Sequence, residues 1–417
     1  MFRLRQVRER PLVADVPAEV EAQLAGLRLS DRVQPGQSVA VTAGSRGIAH
    51  IDKILRAVVG HLKGLGLQPF LVPSMGSHGG ATAAGQVAVL ERYGITEAFV
   101  GCPIRSSMET VVVCSTPEGI PVHFDRHAFE ADHVIVCGRV KPHPTFCGPI
   151  ESGLMKMILI GLGKCAGAEI YHKAILDLGF DQILNSVASE VLGRCSILAG
   201  LAIVENAYDE TAQLTAVLPE SLIETEKKLL VLAKEWMPRL PFLDVDVLIV
   251  DEIGKDISGS GMDLIVVGRK PTIVDDPSAP KVRRIIVRDL TEATHGNATG
   301  MGMATFCTTR FLERVDVEVT RLNSLTGGSP EVAMTPLNYD TDREVVEVSL
   351  RTVGRVEPEA AAVTWIRNTI CLEEVECSAS YWEKASERSD LEILTEPREI
   401  VFDEAGNFAA GNGAPGH

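Results

Sequence analysis

Five short stretches combine basic, hydroxyl or acidic side chains with the turn formers Gly and Pro: Gly44-Ser45-Arg46, Gly76-Ser77-His78-Gly79-Gly80, Lys141-Pro142-His143-Pro144, Glu151-Ser152-Gly153-Leu154-Met155-Lys156 and Asp251-Glu252-Ile253-Gly254-Lys255. Ser45 and Arg46 stand just before a helical pattern. Backbone N–H groups there can hold an anion, and a guanidinium adds a bidentate grip on a carboxylate. The same residues also suit a helix cap with a surface Arg. His78, flanked by glycines, suits proton transfer near neutral pH, or a loop His bonded to backbone. His143 lies between two prolines that stiffen its loop. Lys156 sits in the apolar run Leu154-Met155-Lys156-Met157-Ile158-Leu159-Ile160. Burial there would make it a nucleophile or an attachment point; its alternative is to snorkel to the surface. His172 shares a helix face with Glu169 and could ligate a metal as a neutral imidazole, or be structural. Lys255 follows a buried strand and could meet an anionic substrate.

The elements that must position these residues follow a strand–helix alternation. Ser38–Thr42 reads as a buried strand. Ile51, Ile54, Leu55, Val58, Val59 and Leu62 then mark one face of a helix that Gly64 and Gly66 stop. Residues 69–74 read as a strand, 81–93 as a helix, 108–125 as a hairpin-like pair and 133–137 as a buried strand. A Gly/Pro/Lys/His-rich loop leads into a helical segment ending near 192. A strand at 196–204 and a helix at 219–236 follow. Beyond Pro238 and Pro241, strands are expected at 245–250, 284–287 and 363–367, and helices near 299–313, 341–352 and 373–386. This βαβ order predicts parallel sheets covered by helices, with ligands at the carboxyl ends of the strands. The expected organisation is a domain over 1–240, a second over 241–400, and a Gly-rich tail over 401–417 that frays.

Composition narrows the function classes. The 417 residues carry 40 Lys+Arg against 56 Asp+Glu, a formal charge of −16. With no long basic run, the chain is not expected to bind nucleic acid. The N-terminal residues lack an apolar signal region, and the apolar runs are too short to span a bilayer. Nine scattered Cys without a Cys-x-x-Cys pair read as reduced core thiols of a cytoplasmic protein. No Gly-x-Gly-x-x-Gly follows a strand, and no P-loop, His-Glu-x-x-His or Gly-x-Ser-x-Gly motif occurs.

The order of the motifs resembles the lactate racemase family, the nickel-pincer-nucleotide-dependent 2-hydroxyacid racemases and epimerases. The resemblance is strongest over 38–175 and weaker over 245–370. It rests on a strand ending in Ser45-Arg46, the Gly76-Ser77-His78 loop, and His143 followed by Gly148, Ser152, Gly153 and Lys156. A last His, His172, comes sixteen residues after that Lys. The resemblance implies a two-domain α/β enzyme, each domain with a largely parallel sheet flanked by helices, and an active site in the interdomain cleft. It implies racemisation or epimerisation of a small 2-hydroxy acid by reversible hydride transfer. The cofactor would be a pyridinium bis-thiocarboxylic acid mononucleotide whose sulfur–carbon–sulfur pincer holds nickel. Lys156 would tether it, His172 would ligate the nickel, and Ser45, Ser152 and Gly153 would line it. His78 and His143 would be the paired acid/base residues. Arg46 and Lys255 would bind the substrate carboxylate, with Glu252 beside them. Ala43 and Gly47 stand where the family often has Asp and Pro, and Glu252 where lactate-specific members have Gln. The substrate expected is therefore a sugar acid or another substituted hydroxyacid rather than lactate. Two rival readings are a zinc hydrolase using His78, His143 and His172, and a non-catalytic homologue that binds the nucleotide cofactor.

Overall fold

The protein is described by a computed structural model covering residues 1–45, 47–143, 148–269 and 279–409. Its chain divides into two compact units, Arg10–Met237 and Met1–Glu9 with Pro238–His417.

In the Arg10–Met237 unit, five strands form one sheet in the order Gln68–Pro73, Ser38–Ala43, His133–Arg139, Ile197–Glu205, Thr211–Val217. The first four run parallel and the last is antiparallel. Alternation along the strands supplies two cores. Ala40, Phe70, Val72, Val134, Val136, Ala202 and Val204 face one side. Val39, Val41, Leu71, Ile135, Cys137, Leu201 and Ile203 face the other. The helix Ile51–Gly64 covers the second face with all six residues of its predicted apolar stripe buried. Helices Lys164–Leu178, Phe180–Arg194 and Leu222–Trp236 cover the first. Chain order and sheet order reverse between Ser38–Ala43 and His133–Arg139. Such a switch point opens a crevice outside the carboxyl ends of the strands, where ligands bind in doubly wound folds.

The second unit holds an eight-stranded sheet, Leu337–Tyr339, Phe306–Thr308, Lys281–Leu290, Asp244–Ile253, Val363–Ile366, Glu374–Cys377, Phe2–Gln6 and Leu391–Ile393 in spatial order. The first five strands are parallel and the rest antiparallel. Residues 2–6, at the start of the span read from sequence as the first domain, thus add a strand to this sheet. The helix expected at 373–386 is corrected: Glu374–Cys377 is a strand, and only a 3-10 turn at Ala379–Tyr381 and the α-helix Trp382–Ser386 are helical. The helix expected at 299–313 reduces to a turn at Met301–Met303, a strand at Phe306–Thr308 and a helix at Thr309–Glu313, capped by the Thr308 side chain. The tail is also corrected in part, since Phe408 is buried against Trp365 with ring centroids 4.2 Å apart, and its N–H donates to Asp342 Oδ2. Among the described residues, no helix is long and apolar enough to cross a membrane.

Candidate functional site

The carboxyl ends of the parallel strands in the Arg10–Met237 unit carry the first candidates. Ala43 ends one strand, and Ser45 follows two residues later. Pro73 ends its neighbour, and the chain then turns through Gly76, at φ +58°, to His78. Ser45 Oγ lies 2.5 Å from His78 Nδ1, so the two loops meet through a hydroxyl–imidazole hydrogen bond. Tyr93 Oη donates to the Ser45 carbonyl at 3.2 Å. Gln86 Nε2 donates to the carbonyls of Gly76 at 2.9 Å and His78 at 3.3 Å. Both loops rest on the segment that follows Lys156. Met157 Cε stands 3.1 Å from where a Cβ on Gly44 would be, and Ile160 Cγ2 stands 3.1 Å from the same point at Gly76. Glycine at these two places is what lets the loops descend so closely.

Lys156 ends a single helical turn, Leu154–Lys156, that runs into a π-helical turn over Met157–Gly161 and then into helix Lys164–Leu178. A π turn widens the helix locally and is frequent at functional sites. His172 lies within that last helix. Burial holds its imidazole below the ordinary pKa, and the Lys156 ammonium pushes it the same way. The amine and the imidazole are therefore within electrostatic reach of one another. The turn bearing Lys156 starts at Gly153, which is buried. A Cβ there would overlap the Glu226 carboxylate. Glu226 Oε2 accepts from the Met155 N–H at 3.0 Å, capping the turn. Burial pushes this carboxyl up to about 7, against the pull of the Met155 and Leu154 amides.

His143 belongs to the loop after strand His133–Arg139. Its backbone N–H donates to Glu151 Oε2 at 2.8 Å, and its ring stacks 6.3 Å from that of Phe180. Glu151 is fully buried and pairs with Lys234 at 2.6 Å. The Lys141 N–H donates to the Ser152 carbonyl at 3.0 Å. The His143 loop is thus stitched to the Ser152–Gly153 turn that leads into Lys156.

The structure brings Ser45 to His78 and His143 to the segment carrying Ser152 and Gly153, and the Lys156 charge acts on the His172 imidazole. Arg46 lies outside the described residues. Glu252 and Lys255 belong to the other unit. Glu252 Oε1 accepts from Arg367 at 3.0 Å and Asn368 at 2.9 Å, and Lys255 Nζ donates to the Gly259 carbonyl at 2.5 Å. Sequence reasoning placed Glu151 in a candidate stretch without giving it a role, and missed Glu226, Gln86, Asp125 and Lys164, whose contacts brace the site's loops. Their types alone gave no signal, because a charged residue becomes informative only once its burial is known.

Among the described residues, no three His, Cys, Asp or Glu side chains come together as a metal-holding group. The zinc site read from His78, His143 and His172 is therefore not formed. One depressed, neutral-leaning imidazole beside one amine is instead the donor set suited to a covalently held group that brings its own metal ligands.

Residues 8–179 match the family model of the lactate racemase N-terminal domain. Among solved structures, the chain matches the lactate racemase apoprotein from Thermoanaerobacterium thermosaccharolyticum with a TM-score of 0.54 at 12% identity, over 88% of this chain and 94% of that one. At that identity the likeness is one of fold. No curated protein sequence matches the chain. Residues 8–179 thus carry a domain similar to the lactate racemase N-terminal domain.

Proposed function

We propose that this chain is an isomerase that racemises or epimerises a 2-hydroxy acid. Lys156 would hold a nickel-pincer nucleotide and His172 would ligate its nickel. The observation that carries the reading is the match of residues 8–179 to the lactate racemase N-terminal domain, supported by the Lys156 positive charge that helps hold the buried His172 imidazole below its ordinary pKa. When bound, the group would accept and return the hydrogen on the substrate's Cα as a hydride.

The chain's own residues account for the rest of the chemistry. Removing an unactivated Cα hydrogen as a proton would demand an extremely strong base. Removing it with its electron pair is easier when a base takes the hydroxyl proton in the same step. The resulting planar 2-keto acid can be rebuilt from either face. The two stereoisomers present their hydroxyls at different places, so two bases are needed, and His78 and His143 are proposed for them. Ser45 serves His78 because its hydroxyl both donates and accepts. It can therefore hold Nδ1 in either tautomer while Nε2 addresses the substrate. Arg46, next in sequence to Ser45, is proposed to hold the carboxylate so that Cα stays in register. Ser152 and Gly153 are proposed to line the cofactor. Glu252 and Lys255 are proposed to contact the substrate, a role that the resemblance carries.

The test is co-expression with the enzymes that build the cofactor, followed by intact-mass and metal analysis and polarimetry on a panel of 2-hydroxy acids. The expected result is a mass adduct located on Lys156, stoichiometric nickel, and loss of optical rotation with at least one acid. Unmodified Lys156 and nickel-free protein after such co-expression would overturn the proposal.

A further inference from the structure

Lys164 is fully buried, and it opens helix Lys164–Leu178 at φ +54°, a left-handed conformation that a non-glycine residue holds only where its surroundings enforce it. Its ammonium enforces it with three partners. Nζ lies 2.9 Å from Asp125 Oδ2, itself fully buried, donates to the Pro73 carbonyl at 2.5 Å, and reaches Gln86 Oε1 at 3.4 Å. Pro73 is the last residue of the strand before the His78 loop. Gln86, buried on helix Ala83–Arg92, spends its own amide donors on the Gly76 and His78 carbonyls. A chain of buried polar contacts therefore runs from Asp125 through Lys164 and Gln86 to the backbone of His78. The same loop touches helix Lys164–Leu178 directly: Ala168 Cβ, one turn before His172, is 3.7 Å from where a Cβ on Gly76 would be.

We infer that Lys164 is a positioning residue for His78, setting through Gln86 and Pro73 where the His78 loop stands on the helix that bears His172. A fully buried ion pair is costly to assemble, and a hydrophobic pair of equal volume would often stabilise a fold as well or better. What this pair supplies is direction. Lys164 pairs with Asp125 and donates to Pro73 and Gln86, and these last two flank the His78 loop that the site needs held still. The relevance of Lys164 to turnover rests on the racemase reading, whereas the placement of His78 does not.

The test uses full-length apoprotein, so it needs neither cofactor nor activity. Imidazole NMR of ¹⁵N-histidine protein reports each ring, with the His78 signals assigned by their loss in His78→Gln. Gln86→Met removes both amide donors without adding charge and leaves Lys164 its Asp125 and Pro73 partners. In this variant the midpoint of the His78 titration is expected to move by about half a pH unit or more, while that of His133 stays in place. Ser45→Ala, expected to shift His78 in the parent, should add little on top of Gln86→Met, because the bond it removes is already loosened. The paired variant Lys164→Met/Asp125→Asn, neutral for charged on both sides, is expected to reproduce the shift. If Gln86→Met lowers thermal stability yet leaves the His78 titration and its Ser45 dependence unchanged, Lys164 and Gln86 are merely structural and the inference is overturned. Should the paired variant fail to fold, Gln86→Met alone decides. A shift of His78 with no racemisation by the loaded wild type would uphold the placement while refuting the proposed function.

Discussion

The imidazole of His172 is held below its ordinary pKa first by burial and second by the positive charge of Lys156. Sixteen residues and a π-helical turn separate the two in the chain, so their approach is a product of the fold. Replacing Lys156 with Met removes the charge and leaves most of the burial. The His172 titration in apoprotein should then rise toward the ordinary value of 6.5 without reaching it. The sign for stability follows. A depressed imidazole favours the fold fully at pH above 6.5, and that contribution is lost as pH falls through the lower, folded value. Lys156→Met should therefore lose less stability than the parent between neutral pH and pH about 5 in urea titrations. An unmoved His172 titration would show that the two side chains do not interact.

Glu226 works in the opposite sense. Burial raises its carboxyl from 4.5 to about 7, so between those values the folded chain keeps a proton that the unfolded chain has released. Stability from this group is present below 4.5 and falls as pH rises to about 7, by a few kcal/mol at most. Glu226→Gln has no proton to release and should flatten that part of the pH–stability curve. Denaturant midpoints at pH 5, 6, 7 and 8 for both proteins give the comparison, and parallel curves would refute it.

The Gly153 position leaves no room for a side chain, because a Cβ would overlap the Glu226 carboxylate. Gly153→Ala should destabilise the chain by about 1–3 kcal/mol through overpacking. Adding Glu226→Ala empties the space, so the double variant should recover part of the loss, a coupling that a double-mutant cycle in urea measures directly. Strict additivity of the two changes would show that the overlap is relieved elsewhere.

Local patterns made the Arg10–Met237 unit largely legible. The stripe from Ile51 to Leu62 could only be an amphipathic helix, and runs such as His133–Cys137 could only be buried strands. Residues 374–377 were misread because their alternation of Glu with Val and Cys makes sense only against the antiparallel strand Phe2–Gln6, some 370 residues away. In the site, Ser45, His78, His143, Lys156 and His172 were visible because their types and neighbours are chemical. Lys164 and Glu226 were not, because nothing near them in sequence announces that tertiary packing will bury a charge. Each is met by a partner from a distant segment, as Lys164 is by Asp125 and Glu226 by Met155.

Ser45 offers the most direct kinetic test of the acid/base assignment. Its Oγ is 2.5 Å from His78 Nδ1, and Ser45→Ala frees the ring to rotate and to change tautomer. In the cofactor-loaded enzyme, kcat should fall about tenfold, as a displaced proton-transfer group requires, while KM changes little. The equilibrium between two stereoisomers is independent of the enzyme, so kcat/KM must fall by the same factor in both directions. The asymmetry between two bases therefore appears in the pH profiles. If His78 takes the hydroxyl proton of one isomer and gives it back when that same isomer is rebuilt from the other, the acid limb measured with the first isomer and the alkaline limb measured with the second should both move in Ser45→Ala. His143→Gln should abolish turnover in both directions, because each base must act as the acid for the reverse reaction. A Ser45→Ala enzyme with unaltered kcat and unaltered pH limbs would remove His78 from the chemistry.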